Sequence, residues 1–301
     1  MKPYTKRKKF IMPFSGDELD HAETQRATEQ LEIFIKQDNA KCLCLYKGSI
    51  AINGNGNLSL VHPSKLIGKK INDPGPIFLG LSNNIPLFSV SLVEPDEIKE
   101  DLVFEDLRKA SKFLSPQEMS VAGRAKSLLD WHLNNRFCSK CGQITQPSSG
   151  GIKRECNSCS SEHFPRVNPV VIMLIISNNK VLLGRGRGWP EGAMSALAGF
   201  ISPGETIEEA VKRETYEEVG IKIKNAEYIF SQPWPWPSQL MIGMICEAES
   251  EDLNINTDEI EEAKWFTKDQ VKAVYDNSGD HFLRLPKFTI AHHLLRNWID
   301  S

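Results

Sequence analysis

Between Lys41 and Leu92 the chain alternates short apolar runs with polar, turn-forming clusters. Runs at 42–46, 49–52, 77–81 and 87–92 have strand length. Gly, Asn and Pro clusters such as Asn53-Gly54-Asn55-Gly56-Asn57 separate them, which predicts a β-rich N-terminal domain. Ahead of them, 22–36 is amphipathic and reads as a helix. After them, 94–106 is acidic, and helical periodicity returns over 103–111 and 116–133. Residues 136–165 form a distinct compact unit. Beyond it, 169–176 is a continuous apolar run, as a fully buried strand requires, and 180–184 is a second strand. A glycine-rich loop over 184–199 leads to a strong helix at 207–219. Strands follow at 228–230 and 240–248, then a polar loop and a terminal helix at 289–299. No internal repeat is visible. The pattern divides the chain into an α+β domain (1–133), a four-cysteine unit (134–166) and an α/β domain (167–301).

Length and composition agree. A chain of 301 residues is long enough for two domains, or three if one is small. With 40% hydrophobic and 25% charged residues and a net charge of −3, it has the make-up of an ordinary globular protein rather than a disordered one. The longest apolar run, 170–176, is too short to span a bilayer. A pI near 6.2 argues against a generally basic nucleic-acid binder. Lys2, Lys6, Arg7, Lys8 and Lys9 precede no apolar segment, so they read as a solvated tail and not a secretory signal. A mitochondrial presequence is the alternative, opposed by Asp17, Glu18 and Asp20. A reducing, cytoplasmic compartment is expected. Cys42, Cys44 and Cys246 lie in apolar runs and read as inert core thiols.

The other four cysteines carry chemistry. Cys138-x-x-Cys141 and Cys156-x-x-Cys159 are separated by fourteen residues. Each pair grips one ion from a tight turn, and two pairs complete a tetrahedral zinc site. With four thiolates the shell leaves no position for water or substrate, so the expected zinc is structural. A redox dithiol needs only one such motif. Nucleic-acid binding by the unit finds little support in Lys140, Lys153, Arg154 and Arg166.

The helix at 207–219 opens on Thr206 with Glu209 three residues later, a capping box, and is followed by Gly220, suited to the left-handed residue that ends a helix. Ile207, Ala210, Val211 and Val219 supply an apolar stripe. Glu214, Glu217 and Glu218 fall on one face, where like charges repel. Charge pattern alone favours a solvated acidic face over a cation site.

The full spacing resembles the signature of the Nudix hydrolase family: Gly199, Glu205, Arg213-Glu214, Glu217-Glu218 and Gly220-Ile221. Eight of nine fixed positions over 23 residues match, and Thr215 replaces an aliphatic residue. The resemblance implies a mixed-sheet α/β/α sandwich. It also implies metal-dependent hydrolysis of a nucleoside diphosphate linked to another moiety. Glu214 and Glu218 then match Mg²⁺ or Mn²⁺ ligands, Glu217 a ligand or an activator of water, and Arg213 a holder of the loop through Glu205. Ala198, by its carbonyl, and Glu259 match further metal positions.

Ser231-Gln-Pro-Trp-Pro-Trp-Pro-Ser-Gln239 follows the box. Alternate prolines keep it extended, and the tryptophans can stack on a planar ring; a proline-stiffened core loop is the other reading. The segment resembles the SQPWPxPxS motif of the NADH pyrophosphatase subfamily, with Ser238-Gln239 and Trp236 as departures. The four-cysteine ribbon, Trp131-His132, Pro165-Arg166 and Leu197-Ala198-Gly199-Phe200 agree with that subfamily. The resemblance implies hydrolysis of NADH, and less selectively NAD⁺, or removal of an NAD cap from RNA, by a homodimer. Substrate contacts then match Gln232, Pro233, Trp234, Pro235, Trp236, Pro237, Ser238 and Gln239. Phe164, Phe200, Ala291 and Arg108 match further contacts, with Phe164 in a position often held by tyrosine. The alternative from another class is a non-catalytic nucleotide binder, which loss of a box glutamate would favour; none is lost.

Overall fold

The computed structural model describes residues 11–16, 19–94, 98 and 102–301, so the N-terminal basic cluster and Asp17 and Glu18 lie outside the described residues. The chain forms two compact units, Met1–Val167 with Pro233–Ser238, and Asn168–Gln232 with Gln239–Ser301.

The first unit holds strands β1 (Lys41–Tyr46), β2 (Ser49–Ile52), β3 (Leu60–Val61), β4 (Ile77–Ser82), β5 (Ile85–Leu92) and β6 (Val103–Glu105). Their order is β4-β5-β1-β2-β6, with β3 on β1. Strand β1 runs parallel to β5 and antiparallel to β2 and β3. Two-residue turns set the hairpin registers. Lys47-Gly48 and Asn83-Asn84 all take positive φ, the geometry whose twist matches paired strands. Helix α1 spans Thr28–Phe34, α2 Leu107–Ala110 and α3 Pro116–Asn134, the last opened by a Ser115–Glu118 capping box. The four-cysteine unit adds a small sheet of β7 (Gln146–Ser148), β8 (Lys153–Glu155) and β9 (Glu162–His163).

The second unit contains β10 (Asn168–Ser177), β11 (Lys180–Gly186), β12 (Leu197–Phe200), α4 (Ile207–Val219), β13 (Ile223–Trp234), β14 (Gln239–Ala248), β15 (Ile260–Thr267), α5 (Lys268–Tyr275) and α6 (Ile290–Ile299). Strand β10 is central and buried on both faces, with α4 and α6 packed against the sheet. This is the expected α/β/α arrangement with a mixed sheet: β10 is parallel to β14 and antiparallel to β11 and β12. Asn178-Asn179 makes the same positive-φ hairpin turn between β10 and β11.

The sheet order, β13-β14-β10-β11-β15 with β12 on β10, repeats that of the first unit strand for strand. The expectation of no internal repeat is therefore corrected at the level of topology. Where the second unit places α4 after its third strand, the first has only a short 3-10 turn, Pro63–Leu66, with no carboxylate. Shared strand order needs only matching apolar and turn positions, and these leave little identity to see.

Three local expectations also change. The helix expected at 22–36 divides into a 3-10 turn, Glu23–Gln25, and α1, because Ala27 is extended between them. The helix expected over 103–111 is strand β6 followed by α2. Val103–Glu105 pairs with β2, and the Asp106 carboxylate, accepting from the Arg108 and Lys109 amides, starts the helix only there. The polar loop expected after 248 contains β15 and α5; β15 pairs only with β11, and its exposed Glu261 and Lys264 hide its strand pattern.

Candidate functional site

Helix α4 forms as its sequence dictates. The Thr206 hydroxyl accepts from the Glu209 amide, the Glu209 carboxylate accepts from the Thr206 amide at 2.8 Å, and Gly220 closes the helix at φ 72°. Ala210, Val211, Thr215 and Val219 face the core. Thr215 is fully buried and its hydroxyl has no partner among the described residues, so it serves as packing in place of the family's aliphatic residue.

Arg213 gathers the acidic residues around it. Its Nε and Nη2 bond both Glu205 oxygens, at 2.5 and 2.8 Å. Its Nη1 reaches Glu214 at 2.8 Å and Glu217 at 2.9 Å, and Nη2 also donates to the Phe200 carbonyl at 2.9 Å. Arg213, with help from the Ser202 amide, holds the Glu205 carboxyl down at about 2. The planar fork serves five acceptor oxygens of four residues at once, a task that a lysine ammonium cannot repeat with the same geometry.

Glu218 has no such partner. It is 6% exposed, and its Oε2 is buried without a hydrogen bond among the described residues. Burial, then the charges of Glu214, Glu259 and Glu217, raise its carboxyl to about 8. Strand β12 carries Ala198 and Gly199 alongside β10. A Cβ at Gly199 would fall 1.9 Å from Glu214 Cδ, so only glycine leaves room for that carboxylate. The turn before β15 carries the exposed Glu259, and the neighbouring Asn256 amide bonds the Glu218 carbonyl at 2.9 Å. An orphaned buried carboxylate, further carboxylates acting on it and a glycine cradle fit a hard divalent cation, which takes oxygen ligands and offsets that repulsion.

Cys138, Cys141, Cys156 and Cys159 converge, their sulfurs all within 4.8 Å of one another. The Ser161 hydroxyl and amide hold the Cys159 thiol down at about 6. The four form a structural zinc site with no open position. A buried network behind the ribbon escaped the sequence reading. Arg154, 1% exposed, bonds Thr145 through Nε and Nη2, His132 Nδ1 at 3.0 Å and Asp73 at 2.9 Å. His132 Nε2 donates to the Gly151 carbonyl at 2.8 Å, and burial lowers its imidazole to about 4, keeping it neutral. The nearest sequence signal was the Trp131-His132 pair.

The aromatic loop divides at its ends. Pro233–Ser238 belongs to the first unit, while Gln232 and Gln239 belong to the second. Gln232 is fully buried and its amide is engaged, Nε2 to the Phe288 carbonyl and Oε1 from the Ile290 amide, both at 2.8 Å. Pro235 is buried, Pro233 and Pro237 are exposed, and Ser238 and Gln239 are half-buried. Trp234 and Trp236 lie with ring centroids 4.6 Å apart, tilted by 58°. Arg108 stacks over Trp236 at 4.6 Å, and the Trp236 indole N–H has no hydrogen-bond partner among the described residues. Within the first unit, then, Arg108 and the tryptophans come together, while Phe164 is exposed elsewhere on the ribbon. Within the second, Phe200 is exposed beside the Arg213 network and Ala291 is buried in the first turn of α6. Phe14, packed edge-on against both tryptophans, carries no motif and was not found from sequence.

Family profiles match all three parts of the chain. Residues 166–285 match the NUDIX domain, 133–164 the NADH pyrophosphatase zinc ribbon domain, and 39–131 an NADH pyrophosphatase-like rudimentary NUDIX domain. The last accords with the repeated sheet topology. The NAD-capped RNA hydrolase NudC of Chromobacterium violaceum is 35% identical over 261 residues, covering 85% of this chain and 91% of that protein. Human NAD-capped RNA hydrolase NUDT12 is 43% identical over 197 residues, 62% of this chain. This chain spans only 43% of that relative's length. The mouse mitochondrial NAD(P)H pyrophosphatase NUDT13 is 39% identical over 212 residues, 66% of this chain and 60% of that protein. A NUDIX hydrolase structure from Nitrosomonas europaea superposes with a TM-score of 0.45 at 23% identity, covering 55% of this chain and 90% of that one.

Proposed function

This chain belongs to the NUDIX hydrolase family, in its NADH pyrophosphatase branch, and on that premise we propose that it hydrolyses the pyrophosphate of NADH, and of NAD⁺, to AMP and the nicotinamide mononucleotide. The observation that carries the reading is Glu218: buried, without a partner and pressed upon by neighbouring carboxylates. Glu214 and Glu218, with Glu217, Glu259 and the Ala198 carbonyl, would hold Mg²⁺ or Mn²⁺. Such ions, when bound, neutralise pyrophosphate charge and favour attack by water. Arg213 and Glu205 keep the carboxylates aligned. Glu217, the most exposed of the three on α4, is the one proposed to orient the attacking water. Arg108, Phe164, Phe200, residues 232–239 and Ala291 are proposed to bind the dinucleotide.

A second substrate has its own support: relatives are named as hydrolases of NAD-capped RNA, and the same bond would be cut there. We further propose a homodimer, a boundary near 133 and another near 166, and a cytoplasmic location. Seven cysteines, none in a disulfide, suit a reducing compartment, although one relative is named mitochondrial and another chloroplastic. No described helix is long and apolar enough to cross a membrane.

The test is AMP release from NADH, NAD⁺ and ADP-ribose, and release of nicotinamide mononucleotide with 5′-monophosphate RNA from NAD-capped RNA, under Mg²⁺ and then Mn²⁺. Activity on the dinucleotides or capped RNA, lost in Glu218→Gln, is expected. No AMP from the dinucleotides or ADP-ribose and no nicotinamide mononucleotide from capped RNA, with either metal, refutes the proposal.

A further inference from the structure

Phe14 occupies a position where physical chemistry asks for glycine. Met12, Pro13, Phe14 and Ser15 form a turn closed by the Ser15 amide on the Met12 carbonyl at 3.1 Å. Proline stands second and Phe14, third, has φ 65°. That third position of a proline-led turn takes positive φ, which strongly favours glycine or asparagine. A bulky residue held there is strained and persists only where its surroundings over-determine it. The ring is nevertheless 3% exposed.

What determines it is the aromatic loop. The Phe14 ring meets Trp236 edge-to-face at 5.5 Å and 90°, and Trp234 at 6.1 Å and 84°. Below them, α3 presents Gly123, where a Cβ would lie 3.2 Å from Phe14 and 3.4 Å from Pro235. The ring is thus fixed from two sides: by a turn closed in sequence and by a helix surface made close by glycine. From a third side Arg108 covers Trp236. Prolines stiffen the loop backbone but leave the indole χ angles free. A perpendicular edge wedged against both rings removes that freedom, and edge-to-face contact is a favoured aromatic geometry.

We infer that Phe14 is a positioning residue, setting the spacing and tilt at which Trp234 and Trp236 meet the substrate's planar ring. The inference rests on the proposed role of this loop in dinucleotide binding. It gives the N-terminal segment a part in substrate selection without contact with substrate.

The experiment uses full-length Phe14→Leu and Phe14→Ala, with zinc content and melting temperature as controls of folding. Leucine retains apolar bulk and removes the ring edge. Two rings this close and tilted should give an exciton couplet in far-ultraviolet circular dichroism, and both variants are expected to weaken it. The KM for NADH is expected to rise about tenfold, the loss of two edge-to-face contacts, while kcat stays within about threefold. An unchanged couplet in both variants overturns the inference. A weakened couplet with unchanged KM also overturns it, and Trp234→Leu then locates the fault. If that variant too leaves KM unchanged, the loop does not bind substrate; if it raises KM, the loop binds but does not need Phe14.

Discussion

Glu218 offers the sharpest test of the site, because its burial makes a thermodynamic demand apart from catalysis. In the metal-free fold its carboxyl titrates at about 8, against 4.5 in an open chain, with burial first and Glu214, Glu259 and Glu217 next among the causes. Below pH 4.5 folded and unfolded chains both carry the proton, and Glu218 exacts no penalty. As pH rises above that, the unfolded chain ionises while the fold keeps its proton, so stability falls until about pH 8 and is then level. At 1.36 kcal/mol per pH unit, the loss between pH 5 and pH 7 is about 3 kcal/mol. Glu218→Gln keeps the shape and abolishes the ionisation. Urea unfolding of protein freed of Mg²⁺ and Mn²⁺, with zinc retained, should therefore show the variant gaining on wild type by about 2–3 kcal/mol between pH 5 and pH 7. Adding Mn²⁺ at pH 7 should close the gap by stabilising wild type alone. A difference between the two proteins that does not change with pH, or equal stabilisation of both by Mn²⁺, refutes the reasoning.

Three further outcomes follow from the same geometry. Gly199→Ala places a Cβ 1.9 Å from Glu214 Cδ, so the carboxylate must move; steady-state assays should show kcat/KM down about 100-fold while the circular-dichroism spectrum is unchanged. Gln232→Leu removes the hydrogen bonds to the Phe288 carbonyl and from the Ile290 amide inside the second unit. Chemical denaturation should show a loss of about 2 kcal/mol. Cys156→Ser opens the zinc shell; elemental analysis should find less than one zinc per chain, and hydrogen exchange should show loss of protection around β8 and Arg154.

The local elements that carry chemistry were legible because their causes are local. The bounds of α4 follow from Thr206, Glu209 and Gly220, and the ribbon from two C-x-x-C turns. Edge elements were not legible. Strand β15 exposes charges along a single neighbour, and β6, at three residues, is too short to show alternation against the helical pattern that follows it.

The sequence by itself determined which residues bear the chemistry: the four thiols, the glutamates of α4 with Arg213, and the proline-spaced tryptophans. These depend on residue type and spacing, which the chain states directly. Tertiary structure decided what each residue experiences. It left Glu218 without a partner while giving Glu205, Glu214 and Glu217 one shared arginine, and it enclosed Arg154 with His132 and Asp73. It also matched two sheets of the same strand order and brought Phe14 to Trp234 and Trp236 across more than two hundred residues. Desolvation, ring contact and strand order arise between segments distant in the chain, so they exist only once the chain has folded.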